Sequence, residues 1–469
     1  MSLIFFDTET TGTETFFDQI LQFAAVKTDE DLREIDRFEI RCRLLPHVVP
    51  APGAMSVNGV KVSQLTDSAY PSHYEMVRAI SAKLQSWSPA LFLGWNSIRF
   101  DEDLIRQALY KTLHDPYLTN SAGNSRSDVM RIVQACSIFC PDALEFPTDS
   151  NGHKVFKLDH IAPANGFKHD NAHDAMGDVQ ATIHLCRLLV DRSQNIWSSF
   201  MRFSKKASVI DYIKEEPFFC LSEFYFGNPY AFLVTAIGSN PENNAEWYVY
   251  DLNVDPESLL ALADEELAVR VTQSPKPVRK LKSNAAPMLF PADDAPEICK
   301  GRDWGSEELA RRAEFLKNDD VFRERLITAF GSDKEEYPPS PHIEKQIYNG
   351  FFEKTDKALM KAFHSVDWAN RCAILEKFQD PRLQQIGKQL IYLERPELLD
   401  EKTRREFEVA AAKRILGHGE DISWLTIPEA LEQLDAMLAA ASGAQLELLQ
   451  DHGRYLRERH QKALAHLEF

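Results

Sequence analysis

The stretch LIFFDTETTG, residues 3 to 12, places two acids directly behind a short apolar run. Successive side chains of a β-strand point to opposite faces, so Asp7 and Glu9 are expected to project from the same face of the first strand. Two carboxylates at that spacing repel each other unless a cation lies between them. The pair therefore indicates either a cation site or a solvated strand edge, and only further acids elsewhere in the chain can separate the two interpretations.

The composition is typical of an ordinary folded protein, with 44% hydrophobic and 26% charged residues among 469. This length suggests about two to four domains. No apolar run is long enough for a membrane span, no secretory leader is evident, and the seven cysteines include no C-x-x-C pair, so we expect a cytoplasmic protein without disulfides or a zinc ribbon. Cys136 and Cys140 are expected to be small buried groups.

The net charge of -18 argues against a protein that coats DNA by electrostatics alone, because such binding depends on Lys and Arg that neutralise phosphates. Any polyanion that this chain binds must therefore meet local basic patches or bound cations.

The pattern of apolar residues divides the chain into three regions. Three strands that alternate as in an antiparallel meander are followed by helices and a buried strand at Ala90 to Gly94, which is typical of an α/β domain of the ribonuclease H-like kind. From about residue 208, β-rich runs between Gly/Asn/Pro turns predict a small β domain, and the last region is rich in helix-forming residues. We expect domains at 1–195, 196–345 and 346–469, the last of them all-α.

Further acids lie at the ends of predicted elements. Asp101 ends the segment GWNSIRFD (94–101) after the buried strand, and Asp178 ends NAHDAMGD (171–178) at the start of the last helix of the first region, five residues after His173. Asp103 and Asp174 lie close by, but an acid in a first helical turn is often only a partner of the helix dipole.

The segments F-D-x-E-T-T-G, N-x-x-x-F-D and H-x-A-x-x-D, in this order, resemble the motifs of the DEDD-type 3′ to 5′ exonucleases that have histidine in the third motif. The segments FKLDHIAPANG (156–166), DPY (115–117) and QIYNGFF (346–352) further resemble the bacterial exonuclease I family, whose members degrade single-stranded DNA. The resemblance implies an exonuclease domain, an SH3-like β domain and a helical C-terminal domain.

The resemblance also implies a mechanism. Asp7, Glu9 and Asp178 would bind the ion that carries the attacking water, Asp7 would bridge to a second ion, and Asp101 would support that second ion. Four carboxylates without cysteine favour Mg²⁺, with Mn²⁺ as a substitute, over zinc. His173 would act as the general base, because histidine offers a neutral imidazole near neutral pH.

Residues that contact a single strand usually combine positive charge with aromatic faces. The substrate contacts implied by the resemblance are Glu9, Lys157, Arg106 and Tyr117.

Two basic clusters in the β domain suggest further phosphate contacts, in an otherwise acidic chain. We assign Lys206 in the first cluster, and Lys280 and Lys282 in the second, although a run of charges is also typical of a solvated surface. Phe16 and Phe17 follow the first motif, and they either wedge against terminal bases or pack in the core of the hairpin.

The first hypothesis is a processive 3′ to 5′ exonuclease that uses two Mg²⁺ ions to release 5′-mononucleotides from single-stranded DNA, in DNA repair and recombination. The alternatives are an exonuclease that trims RNA or oligonucleotides, which the long C-terminal extension disfavours, and a catalytically silent nucleic-acid-binding subunit, which the intact acids disfavour. The resemblance further implies a monomer that binds the C-terminal tail of single-stranded DNA-binding protein, with no membrane association.

Overall fold

The computed structural model describes residues 2–168, 173–296, 299, 305–331 and 340–467. Its first sheet has the strand order β3-β2-β1-β4-β5, with β1 antiparallel to β2 and parallel to β4. The five strands are β1 (Ser2–Thr10), β2 (Ile20–Thr28), β3 (Glu34–Arg41), β4 (Ala90–Gly94) and β5 (Ser125–Asp128). This mixed sheet agrees with the predicted ribonuclease H-like domain, although β5 was not predicted.

Helices cover both faces of this sheet. Leu3 and Phe5 of β1 belong to one buried cluster, whereas Ile4 and Phe6 belong to another on the opposite face. A strand buried on both faces has a continuous apolar run instead of an alternating one, as β1 has before Asp7. The helices of this region are α1 (Pro52–Asn58), α2 (Val62–Thr66), α3 (His73–Trp87), α4 (Asp101–Lys111), α5 (Val129–Phe139), α6 (Leu158–Ala164) and α7 (Ala175–Arg192).

A second sheet forms the predicted β domain, with the order β10-β6-β7-β8-β9 and antiparallel pairing throughout. Its strands are β6 (Phe219–Tyr225), β7 (Asn228–Asn240), β8 (Asn243–Asp251), β9 (Val278–Lys282) and β10 (Met288–Pro291). The helices around it, which the sequence analysis did not predict, are α8 (Gln194–Arg202), α9 (Lys206–Glu215), α10 (Asp264–Thr272), α11 (Ser306–Asn318) and α12 (Asp320–Gly331).

The third region, as predicted, contains helices and no strand within residues 340–467. It packs on the first domain through a shared apolar cluster that includes Tyr110, Leu113, Phe352 and Phe363. Its helices are α13 (Lys354–Ser365), α14 (Trp368–Leu375), α15 (Pro381–Glu394), α16 (Glu401–Leu416), α17 (Ile427–Leu438) and α18 (Gly443–Leu467). The exact domain boundaries at residues 195 and 345 stay a prediction.

In the described part of the chain, no helix has the length and apolarity that crossing a membrane requires. The seven cysteines are free thiols. Cys136 is buried as expected, whereas Cys140 is only half-buried, so the expectation for Cys140 was too strong.

Candidate active site

Three of the predicted metal ligands converge at the end of β1. Asp7 and Glu9 lie two residues apart on this strand, opposite Ala24 and Gln22 of β2. Asp178 lies in the first turn of α7, which packs on the same face of the sheet. One carboxylate oxygen of each acid lies within 4.8 Å of those of the other two. The spacing is short enough for a single cation to contact all three.

Asp101 begins α4 and is buried beside this group. Its Oδ1 accepts a hydrogen bond of 3.1 Å from the backbone N–H of Thr8 and one of 2.6 Å from the Thr8 hydroxyl. Thr8 lies between Asp7 and Glu9 in β1, and its side chain points to the opposite face of the strand. Its two hydrogen bonds hold Asp101 against β1. Burial raises the pKa of Asp101 to about 7, although the hydrogen bonds from Thr8 oppose that shift.

The acids make one another harder to ionise. Burial, followed by the charges of Asp101, Asp178 and Glu9, raises the pKa of Asp7 well above its usual range. Burial and the charges of Asp178 and Asp101 raise the pKa of Glu9 to about 9, and Arg41 opposes this shift only weakly. A set of partly buried carboxylates with this much repulsion fits a hard divalent cation, whose charge would reverse the effect.

Asp174, which is not among the predicted metal ligands, connects α7 to the sheet. Its Oδ2 accepts hydrogen bonds of 2.6 Å from Arg41 and 3.0 Å from Gln22. These two side chains come from β3 and β2, so the carboxylate ties the start of α7 to the sheet. This anchor helps to fix Asp178, four residues later, against β1.

His173 lies two residues before α7, at the same end of the helix as Asp178. Its backbone is left-handed, with φ of +64°, which is uncommon for a residue other than glycine and is found at active sites more often than elsewhere. The preceding motif residues Asn171 and Ala172 lie outside the described residues. The role of His173 as base stays a prediction.

Sequence reasoning missed Asp128, which shapes the loop before Asp101. Asp128 caps the start of α5, and its carboxylate accepts backbone N–H groups of Asn96 at 2.9 Å and Ile98 at 3.3 Å as well as that of Met130. The loop it holds leads directly into α4 and Asp101. The available signal was an Asp before an apolar helix, which predicts a helix cap but not a second function.

Arg106 and Tyr117, predicted to contact the substrate, lie at the seam with the C-terminal domain. Arg106 is only 7% exposed, donates at 3.2 Å to both Asp103 and the hydroxyl of Tyr348, and lies 5.6 Å from the centre of the Tyr117 ring. The Tyr117 ring lies 5.4 Å from that of Phe351, which is 76% exposed. Tyr348 and Phe351 thus complete an aromatic cluster in which buried Arg106 holds the rings in place.

Lys157 is exposed and directly precedes α6. The carbonyl of its neighbour Phe156 accepts a hydrogen bond of 3.2 Å from the indole of Trp95, in the loop that leads to Asp101. Lys157 is therefore tied to the second motif, which keeps it a candidate for a phosphate contact.

Two of the three basic residues predicted to contact phosphate in the β domain line one cleft, and the third lies elsewhere. Lys280 and Lys282 line a cleft of about 250 Å³ between the β domain and the first domain, together with Asn96 and Arg99 of the second motif's loop. Lys280 also forms an ion pair of 3.1 Å with Glu246.

Lys206 does not line that cleft. Its ammonium group donates instead to Asn244 at 3.2 Å, and its role as a phosphate contact stays a prediction.

Phe17 is 3% exposed, and its ring lies 5.5 Å from that of Trp424 and 5.8 Å from that of His342. Phe16 packs against the apolar cluster of the C-terminal domain. The structure therefore supports packing over a base wedge, although the partner is the C-terminal domain and not the hairpin itself.

Three family models match the chain in the same order as the three regions. They are described as exonuclease, over residues 4–186, exonuclease I SH3-like domain, over residues 204–332, and exonuclease I C-terminal domain, over residues 341–459. Together they span the two sheets and the helical region.

Among curated proteins, the exodeoxyribonuclease I of Escherichia coli K12 is 28% identical over 405 residues, which are 82% of this chain and 84% of that protein. That of Haemophilus influenzae is 28% identical over 389 residues, 78% of this chain and 80% of the relative.

Solved structures share the fold. E. coli exonuclease I in complex with a dA16 oligonucleotide matches with a TM-score of 0.84 at 24% identity, over 98% of this chain and 99% of the other. A moderately thermophilic exonuclease I from Methylocaldum szegediense matches with the same TM-score, identity and coverage. With the acidic site at the end of β1 and three matched domains in order, the chain belongs to the exonuclease I family and is an exonuclease.

Proposed function

We propose that this protein hydrolyses single-stranded DNA from its 3′ end, with divalent metal ions, and releases 5′-mononucleotides processively. The observation that carries the proposal is the group of Asp7, Glu9 and Asp178, with carboxylate oxygens within 4.8 Å of one another. The relatives named exodeoxyribonuclease I and the E. coli enzyme's complex with a dA16 oligonucleotide support the substrate.

Asp7, Glu9 and Asp178 would hold one Mg²⁺, and Asp7 with Asp101 would hold a second, with Mn²⁺ as a substitute. Two such ions supply Lewis-acid stabilisation of the phosphate and lower the pKa of a coordinated water. Thr8 contributes by fixing one oxygen of Asp101, which leaves Oδ2 of that carboxylate available to a ligand.

The other residues of the site position the strand and move a proton. The imidazole of His173 would accept the proton of the attacking water. Lys157 would contact a backbone phosphate beside the second motif, and the ring of Tyr117, supported by Arg106, would offer a face to a base.

A labelled-substrate assay tests the proposal. Purified protein is incubated with 3′-labelled single-stranded DNA, duplex DNA and RNA, each with Mg²⁺ or with a chelator. Loss of label from the single DNA strand alone, and only with Mg²⁺, is the expected result. Preferential degradation of RNA supports a trimming enzyme instead, and no turnover on any substrate supports a silent binding subunit.

His173→Asn tests the base. General acid–base catalysis contributes about 10²–10⁴-fold, so we expect kcat to fall by this factor with little change in affinity for the strand. His160→Asn, on an exposed histidine of α6, serves as the matched control. An unchanged kcat in His173→Asn assigns the base elsewhere.

We also propose that the enzyme is a cytoplasmic monomer that serves DNA repair and recombination, and that it binds the acidic tail of single-stranded DNA-binding protein. Calorimetry with a peptide of that tail tests the partner, and sedimentation tests the monomer. No heat of binding at high micromolar peptide, or a sedimentation coefficient of a dimer, contradicts the corresponding part.

A further inference from the structure

The β6–β7 hairpin ends in an unusual residue. Tyr225 pairs with Asn228, so the loop between the strands has only two residues, Phe226 and Gly227. Both have positive φ, +50° and +79°, as a type I′ turn requires. Phe226 is 98% exposed.

This residue is unfavourable for the turn in two ways. The first position of a type I′ turn favours Asn, Asp or Gly, and a bulky side chain there is a genuine outlier. The phenyl ring also gains nothing from burial, because almost none of it is covered. The carbonyl of Phe226 is held by Asn228 at 3.1 Å, so the backbone is fixed while the ring stays open. An exposed ring on an unfavourable backbone conformation is consistent with a residue that contacts a ligand.

The tip end of this hairpin packs on the first domain near the second motif. The Phe224 ring lies 5.3 Å from that of Phe156, the neighbour of Lys157. Phe224 and Tyr225 line the cleft that also contains Arg99, two residues before Asp101. The hairpin therefore projects from the rim of the cleft next to the second motif.

The chemistry of this rim fits a single-stranded nucleic acid. Rings follow one another along the hairpin, with 6.2 Å between Tyr225 and Tyr230 and 6.2 Å between Tyr230 and Phe232. The guanidinium of Arg279 lies 3.3 Å from the centre of the Phe232 ring and ends the row. Aromatic faces beside basic groups are the usual way in which single strands are held.

Positive charge in the cleft complements a phosphate backbone. Arg99, Lys280 and Lys282 line it. Of the two acids in its lining, Glu223 is paired with Arg279 at 3.4 Å, and Asp128 accepts hydrogen bonds from backbone N–H groups. A strand that follows these cations would run along the cleft that Phe224 and Tyr225, next to the hairpin tip, also line.

We propose that Phe226 stacks on a base of the incoming strand and selects single strands over duplexes. A base in a duplex already has both faces covered by its neighbours, whereas an unpaired base can accept the ring. This inference rests on the proposed function, since it assigns a specificity-determining residue to the same substrate.

Phe226→Ala in the full chain tests the inference. Loss of one stacked base is expected to weaken binding of a long single strand on the order of tenfold. KM for that strand should rise accordingly with kcat unchanged. Phe226→Trp should retain wild-type KM. Val321→Ala, on a side chain 71% exposed in α12, is the matched control.

Phe226→Asn separates this role from a structural one. Asn suits the left-handed backbone better, so this variant should melt at a higher temperature than the wild type and yet bind the strand as weakly as Phe226→Ala. Equal KM values for wild type, Phe226→Ala and Phe226→Asn overturn the inference. If the wild type itself does not degrade single-stranded DNA, the proposed function fails, whatever the variants show.

Discussion

The carboxylate of Asp178 raises the pKa of both Asp7 and Glu9, so these acids destabilise one another wherever no cation neutralises them. The same concentration of negative charge attracts a divalent cation. At the scale of single residues, stability and metal affinity therefore oppose each other, and one substitution can separate them.

Asp178→Asn should lower kcat on the order of a thousandfold, because a metal ion contributes several kcal/mol of charge stabilisation and each 1.36 kcal/mol corresponds to about tenfold in rate. In the presence of chelator the same variant should melt at a higher temperature than the wild type, because one repelling charge is gone. Kinetics and thermal melting measure the two effects.

Asp142→Asn, on an exposed acid distant in sequence from the motifs, controls for a general effect of charge and should change neither quantity. Binding of single-stranded DNA by Asp178→Asn should stay detectable. Robust residual hydrolysis in this variant contradicts the metal assignment.

Single residues also show what the sequence can and cannot predict. The shared face of Asp7 and Glu9 follows from strand alternation alone, whereas Asp178 joins them only through a resemblance, because nothing local relates it to β1. The burial of Arg106 depends on Tyr348, which lies 242 residues away in the chain. Such partners are set by the tertiary fold and leave no local pattern.

At the scale of elements, the close approach of β4 to β1 sets the position of the second motif. A Cβ on Gly94 would lie 2.8 Å from the carbonyl oxygen of Phe6 and 2.6 Å from the Cβ of Ser97. The first of these atoms belongs to the backbone of the strand that carries Asp7, so it cannot move without moving the site.

Gly94→Ala should therefore lower the free energy of unfolding by about 1–3 kcal/mol, the usual range for overpacking, and should also lower kcat through the displaced loop. Urea denaturation and steady-state kinetics measure these effects. Gly53→Ala is the control, because its Cβ meets nothing within 4 Å in α1 and alanine favours a helix. Equal stability of both variants contradicts the packing argument.

Elements were predictable where their own residues carry the pattern. The buried strand predicted at Ala90 to Gly94 has the same bounds in the structure. β5 has the sequence SRSD, without apolar alternation, and is a strand only because it pairs with β4. Helices α10 and α12 were missed because turn-rich segments around them dominated the pattern, although Leu267 and Val271 have helical spacing.

At the scale of the whole molecule, the β domain closes the cleft above the second motif with Lys280 and Lys282. If both contact phosphates, the double variant Lys280→Ala/Lys282→Ala should reduce the slope of log affinity against log salt for a single strand by roughly 1.4, at about 0.7 for each phosphate. Binding titrations at several salt concentrations measure this slope.

Lys402→Ala/Lys462→Ala removes two exposed lysines of the C-terminal helices and keeps the same net charge as the test variant. Its salt slope should equal that of the wild type. An unchanged slope in the Lys280/Lys282 variant removes these residues from the path of the strand.

A chain of hydrogen bonds around His364 joins the first domain to the C-terminal domain. His364 of α13 stacks on His114 with ring centroids 3.8 Å apart. Its Nε2 lies 2.9 Å from the carbonyl of Leu113, which can only accept, so Nε2 carries the hydrogen and Nδ1 accepts from the hydroxyl of Tyr74 at 2.9 Å. Arg371 donates to that hydroxyl at 2.8 Å. Only the neutral His364 ring satisfies this chain of contacts.

Burial, followed by the charge of Arg371, lowers the pKa of His364 to about 4. Between this value and the value of about 6.5 for an unfolded histidine, the unfolded state binds more protons, so the free energy of unfolding falls as the solution is acidified. His364→Gln keeps a donor and an acceptor but cannot titrate, and should therefore lose up to about 3 kcal/mol less than the wild type between pH 6.5 and pH 4. Urea denaturation across this range measures the difference. The exposed His160→Gln should keep the wild-type slope, and a wild-type slope in His364→Gln as well would show that the seam does not set the acid sensitivity.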